Sequence, residues 1–282
     1  MTHTAIISPQ DARARIDDPS WVFIDCRFSL ADPDAGQRAY ANGHLPGAVY
    51  AHLDEHLSSP VTETSGRHPL PDAARLAAQL GDWGVGHGIQ VVAYDDASGA
   101  FAARLWWLLH WLGHSEVAVL DGGFEAWQSL GLPTTAVQSK PRPVAFSGTP
   151  DDAMWITSDA TETALAGGDA LLIDARGPER FRGELEPVDP VAGHVPGAVN
   201  APFAGNLNDQ GRLLPAGDLR ARFAPLAEQA GADGVIHMCG SGVTACHNML
   251  AMAAAGLPMG RLYAGSWSEW IRNPDRAVAS GS

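Results

Sequence analysis

The chain says the same thing twice. In its first half, Val22-Phe23-Ile24-Asp25-Cys26-Arg27 is followed by Gly43-His44-Leu45-Pro46-Gly47-Ala48-Val49. In its second half, Leu171-Leu172-Ile173-Asp174-Ala175-Arg176 is followed by Gly193-His194-Val195-Pro196-Gly197-Ala198-Val199. A third pair keeps the order, with Asp121-Gly122-Gly123-Phe124-Glu125-Ala126-Trp127 against Ala264-Gly265-Ser266-Trp267-Ser268-Glu269-Trp270. Three matched blocks in one order mean a duplicated domain. The 282 residues are enough for two domains of ~140 each. The repeat predicts domains at 1–135 and 151–282. Residues 136–150, with Pro141, Pro143 and Pro150 and little apolar periodicity, have the composition of an extended linker.

Each half alternates two kinds of segment. Short β-branched runs at 22–24, 90–94 and 117–120, and again at 171–173, 234–238 and 261–263, fit buried strands. Stretches at 73–80, 100–112, 219–229 and 243–255 carry helix formers with apolar residues at helical spacing. Strands alternating with helices predict an α/β fold, a mainly parallel sheet covered on both faces. In such sheets ligands sit beyond the carboxyl ends of the strands.

The formal net charge of −14 excludes a nucleic acid or an anionic membrane as partner, because no basic run is present to release counterions. An anionic substrate would have to be attracted locally. The three cysteines, Cys26, Cys239 and Cys246, are too few for a disulfide framework, and no Cys/His spacing suits structural zinc. No apolar run reaches the roughly 18 residues needed to span a bilayer, and residues 1–18 are too polar for a signal peptide. These features predict a soluble chain in a reducing, cytoplasmic setting, with no metal.

The cysteine that points to chemistry is Cys239. It ends the strand at 234–238 and opens the loop Cys239-Gly240-Ser241-Gly242-Val243-Thr244-Ala245 ahead of a helix. Gly240 and Gly242 permit backbone angles closed to other residues, so the loop can turn its N–H groups inward. The helix N-terminus adds partial positive charge. Such a cradle lowers a thiol pKa and holds a thiolate or persulfide, with the hydroxyls of Ser241 and Thr244 as further donors. Cys246 falls on the apolar face of the following helix and reads as core. Cys26 is replaced by Ala175 in the repeat and reads as structural. Arg27 and Arg176 are repeat mates, suited to pairing with the carboxylates beside them.

The Cys-Gly-Ser-Gly-Val-Thr-Ala loop, the two Gly-His blocks and Gly265-Ser266-Trp267-Ser268-Glu269-Trp270 closely resemble the tandem-domain rhodaneses, and among them the 3-mercaptopyruvate sulfurtransferases. The resemblance runs from about residue 16 to residue 272. It implies two tandem rhodanese-like α/β domains, the first catalytically silent: alignment puts Asp95 where the second domain has Cys239. It also implies that Cys239 takes sulfur from a small-molecule donor as a persulfide and passes it to cyanide or to a thiol such as a thioredoxin-like protein, with no cofactor. By the same resemblance Ser241, His68 and Asp54 match a proposed serine–histidine–aspartate proton relay. Arg180 matches the arginine that binds the anionic end of the donor, beside Gly240, Gly242, Val243 and Thr244 of the loop.

Two features bear on the donor. Mercaptopyruvate enzymes usually have a second arginine where this chain has Asp189, the residue type of thiosulfate-specific relatives. Those relatives, however, carry a basic loop after the cysteine, where this chain has neutral Gly240 and Ser241. The loop touches the transferred sulfur, so the expectation is 3-mercaptopyruvate, with thiosulfate as the alternative. A cysteine phosphatase would need an arginine where Ala245 stands. A non-catalytic sulfur carrier would not need Ser241, His68 and Arg180 kept together with the cysteine loop.

Overall fold

Continuous apolar strands separated by helices fold as two similar sheets in the computed structural model, which describes residues 2–168, 170–230 and 234–281. The first sheet contains β1 (Ile6–Ile7), β2 (Trp21–Asp25), β3 (Val49–Tyr50), β4 (Gln90–Tyr94) and β5 (Val117–Leu120), in the order β1-β5-β4-β2-β3. The second contains β6 (Trp155–Ile156), β7 (Leu171–Asp174), β8 (Val199–Asn200), β9 (Val235–Met238) and β10 (Arg261–Tyr263), in the order β6-β10-β9-β7-β8. All the strand pairs are parallel. The order is the same in both, as the repeat requires.

Strand periodicity builds a core on each face. In the second sheet, Leu171, Ile173 and Val235 pack against Leu219 and Phe223 of the helix Ala216–Ala230 and against Ala251 and Met252 of the helix Ala245–Ala254. The alternate residues Leu172 and Ile236 face the other way, onto Trp267 and Trp270 of the helix Ser266–Trp270. In the first sheet, Phe23, Val92 and Leu120 pack on Phe124 and Trp127, while the buried helix Ala102–Trp111 packs against β4 and β5. Sheets buried on both faces explain why the strands read as unbroken apolar runs.

The repeated blocks prove to be structural. In each unit an arginine two residues past an aspartate folds back on it, Arg27 on Asp25 and Arg176 on Asp174. Each guanidinium also donates to a glycine carbonyl, Gly43 at 2.7 Å and Gly193 at 2.8 Å. The histidine of each Gly-His block stacks on an aromatic ring at 3.8 Å, His44 on Tyr40 and His194 on Phe181. Its Nδ1 lies 2.7 Å from that same residue's carbonyl oxygen.

The division of the chain is less simple than a cut in the middle. Packing groups the residues up to Ser59 with Leu70–Asp151 and Asp209–Arg212, and groups Pro60–Pro69 with Asp152–Asn208 and the chain from Leu213. Residues 60–69 therefore belong with the second unit, although the sequence division puts them in the first. Residues 136–150 lie along the first unit: the N–H of Val144 donates to the Gly81 carbonyl at 3.0 Å. A Cβ at Gly81 would lie 2.5 Å from the Val144 oxygen, so this glycine makes the close approach possible. No helix among the described residues is long and apolar enough to cross a membrane.

One buried group in the second sheet titrates. His237 sits inside β9 and is fully buried, and that burial lowers its pKa to about 4 despite the nearby Met259 backbone. The imidazole is neutral when folded and takes a proton near pH 6.5 when unfolded. The unfolded chain therefore binds more protons below that pH, and stability falls from pH 6.5 toward pH 4. The shift corresponds to about 3 kcal/mol over that window. Denaturant midpoints measured at pH 7 and pH 4.5 should show this loss, and His237→Leu should reduce it.

Candidate active site around Cys239

Cys239 follows β9 directly, in the middle of the second sheet, at the end where parallel sheets bind ligands. It is only 2% exposed. Its backbone is fixed by the helix Ser266–Trp270: the Cys239 N–H donates to Ser266 Oγ at 3.1 Å, and the Cys239 carbonyl accepts from the Trp267 N–H at 3.1 Å. The Gly240 carbonyl accepts from Ser268 N–H at 2.9 Å. Ser266 in turn donates to the Tyr263 carbonyl at 2.9 Å and holds a left-handed φ of 52°. Gly242 has φ 76°, and a Cβ there would lie 2.3 Å from the Ala264 carbonyl oxygen. Only glycine fits that turn.

The helix begins at Ala245, two residues later than its periodicity suggests, because the turn at Gly242 occupies the intervening residues. Val243 is buried, and Thr244 is the N-cap without a side-chain capping bond. Cys246 is fully buried, its thiol donating to the Gly242 carbonyl at 3.4 Å. Cys26 is buried in the first unit, where burial and then the charges of Asp95 and Asp25 push its thiol pKa up. Neither has the setting of a reactive thiol.

The first unit shows what this kind of loop holds. At the end of β4, the position matching Cys239, stands Asp95. Its carboxylate accepts N–H bonds from Ala97 and Gly99 at 2.9 and 2.8 Å and from Phe101 and Ala102, both at 2.8 Å. A strand–loop–helix turn of this type converges four amides on one anion, as expected for a backbone nest at a helix start. In the first unit the group held is the protein's own Asp95 side chain.

Around Cys239, residues 60–69 bring one of the expected groups, His68, and beside it Arg67. His68, buried, has its Nδ1 2.7 Å from Ser241 Oγ. The Arg67 N–H donates to Ser268 Oγ at 3.0 Å. A Cβ at Gly66 would lie 2.5 Å from the Gly265 carbonyl, so this segment seats against the anchoring helix by virtue of its glycine. Arg180 comes from the helix Pro178–Phe181, with its Nη1 and Nη2 3.7 and 3.6 Å from the place a Gly240 Cβ would take. It is held there by Glu186, through Nε at 3.0 Å and Nη2 at 2.7 Å, and by Asp189 at 3.1 Å. The Glu186 side chain is buried, which opposes ionisation, yet bonds from Arg180 and from the N–H groups of Asp189 and Val188 hold its pKa below the usual range.

Asp54 belongs to the first unit, where it is exposed and its N–H donates to His52 Nδ1 at 3.2 Å. The second unit brings together Cys239, Ser241, His68, Arg180 and the loop glycines. Arg67 is the residue that sequence reasoning passes over. It forms an ion pair with Asp189, and its Nη2 lies 2.9 Å from the Gly240 Cβ position. The available signal was the acid at 189 itself, which implies a cation elsewhere. No cluster of metal-ligating side chains is found among the described residues.

The model of the rhodanese-like domain matches this chain twice, over residues 8–130 and 157–273. The chain belongs to the rhodanese family. This rhodanese is 50% identical, over all of both chains, to a Pseudomonas aeruginosa protein provisionally named 3-mercaptopyruvate sulfurtransferase. It is 42% identical to a Mycobacterium tuberculosis protein provisionally named thiosulfate sulfurtransferase, over 92% of this chain and 90% of that one. Among solved structures it is similar to the 3-mercaptopyruvate enzyme of Escherichia coli, with TM-score 0.81, 30% identity and coverage of 95% and 100% of the two chains. The relatives are sulfurtransferases, and so is this rhodanese. Their names divide over the donor.

Proposed function

We propose that this rhodanese takes sulfur from 3-mercaptopyruvate onto Cys239 and passes it to a thiol or to cyanide. The observation that carries the choice of donor is the 2.7 Å contact between His68 Nδ1 and Ser241 Oγ, two residues from the nucleophile. When thiosulfate gives up its outer sulfur, sulfite leaves as a stable anion and needs no proton. When mercaptopyruvate does so, the departing carbon must be protonated. A buried imidazole–hydroxyl pair beside the cysteine suits the second reaction.

The Cys239 thiolate attacks the thiol sulfur of the donor, forming an S–S bond as the C–S bond breaks, and the electron pair leaves on the enolate of pyruvate. The proton shed by the new persulfide equals the one the enolate carbon requires, and in this reading Ser241 and His68 transfer it. Pyruvate departs and the Cys239 persulfide anion remains in the loop. The amides that surround the Asp95 carboxylate in the first unit support the view that this loop geometry stabilises such an anion. A thiolate, such as that of a thioredoxin-like protein, then attacks the outer sulfur and frees Cys239. Two half-reactions sharing one covalent intermediate give ping-pong kinetics.

The test is to add 3-mercaptopyruvate without acceptor. The chain should gain the mass of one sulfur atom and release one equivalent of pyruvate. A side-by-side kcat/KM comparison should favour 3-mercaptopyruvate over thiosulfate. A preference for thiosulfate would reverse the reading.

A further inference from the structure

We infer that Arg67 is a donor-binding, specificity-determining residue, the second guanidinium for the carboxylate of the sulfur donor, held in place by Asp189. The inference rests on the reading of Cys239 as the sulfur carrier. Two guanidinium groups converge on Gly240, the neighbour of the nucleophile, from separate parts of the second unit. A Cβ at that residue would lie 2.9 Å from Arg67 Nη2 and 3.6 Å from Arg180 Nη2. Gly240 leaves open the space in which both could meet a ligand attached at Cys239.

The charges are layered. The side chains of Asp189 and Glu186 are each 3% exposed, whereas those of Arg67 and Arg180 are 25% and 22% exposed. The carboxylates are behind and the cations in front. The cluster therefore presents positive edges to the site although its formal charges cancel. Asp189 bonds both arginines, Arg67 through Oδ1 and Arg180 through Oδ2, and so sets the distance between them. The Nε of Arg67 is buried with no hydrogen-bond partner, so its ion pair leaves part of its donor capacity unspent. A planar pair of forks matches one carboxylate well. Mercaptopyruvate carries that carboxylate two carbons from the sulfur that Cys239 attacks. On this arrangement an acid at 189 does not remove a substrate cation. It recruits one from residues 60–69.

Steady-state kinetics on charge variants test this. Arg67→Gln should raise the KM for 3-mercaptopyruvate about 10- to 100-fold, the loss of one charge-assisted contact, with a smaller change in kcat. Asp189→Arg should also raise KM, by freeing Arg67 and crowding Arg180. The exchanged pair Arg67→Asp with Asp189→Arg should recover most of the loss, which a packing role for Arg67 would not predict. An unchanged KM in Arg67→Gln overturns the inference. So does an exchanged pair that melts like the wild type yet binds donor no better than the single variants. If Arg67→Gln melts early, Arg67→Lys decides. It should show an intermediate KM, and a wild-type KM there would remove the requirement for a fork. Failure of the wild type to take sulfur from 3-mercaptopyruvate would instead sink the proposed function, and is seen separately.

Discussion

Cys239→Ser is expected to release no pyruvate from 3-mercaptopyruvate and to gain no sulfur. A serine hydroxyl is barely ionised near neutral pH and cannot hold sulfane sulfur, so the covalent route is lost rather than slowed. The drop should be about 10⁴-fold or more, as when other catalytic nucleophiles are removed. The fold should survive the change. The anchors of residue 239 are its own N–H, bonded to Ser266, and its carbonyl, bonded to Trp267, and serine keeps both. Cys26 and Cys246 remain in the variant as internal controls, both fully or nearly fully buried. Pyruvate assay and intact mass read the two halves of the prediction independently. Retained pyruvate release would remove Cys239 from the mechanism, while loss accompanied by a lower melting temperature would point to a structural cysteine.

The loop that carries this prediction was readable from sequence because its requirements are local. A strand end, two glycines and a helix start are set by neighbours within a few residues, and the matching first-half segment ending in Asp95 showed which copy could react. Both sheets were legible for a similar reason, since burial on two faces leaves unbroken apolar runs. Contacts made at long range were not. His68 and Ser241 are 173 positions apart, and only family resemblance suggested that they meet. Arg67 and Asp189 are 122 apart, and neither residue's neighbours mark the pair. Residues 60–69 look like an ordinary first-half loop, and nothing in their composition shows that they pack with the second unit. Asp189, read alone, looks like a lost arginine. Its meaning depends on a cation brought from that displaced segment.

The second large effect concerns stability. Asp174→Ala should destabilise the chain by about 3–5 kcal/mol, the cost of leaving a buried charge without its partner. Arg176 is 3% exposed, and its Nε and Nη2 bond the Asp174 carboxylate at 3.0 and 2.7 Å. Its remaining partners are the Gly193 carbonyl at 2.8 Å, Glu186 at 3.5 Å and the face of Trp267 at 4.7 Å. None of these replaces a bidentate carboxylate. The loss should come from desolvation and not from the ion pair as such. Asp174→Leu combined with Arg176→Met should therefore be much less harmful than Asp174→Ala alone. The repeat supplies an independent copy of the experiment. Asp25 and Arg27 have the same geometry, with Arg27 over the Phe124 ring at 4.1 Å, so Asp25→Ala should cost a similar amount. Urea unfolding of the three variants and the wild type measures all of this. Single variants within about 1 kcal/mol of wild type would mean that water or a neighbour satisfies the arginine. A double variant as unstable as the single would mean that the pair contributes through its geometry, joining the end of β7 to the segment around Gly193, and not merely through neutralised charge.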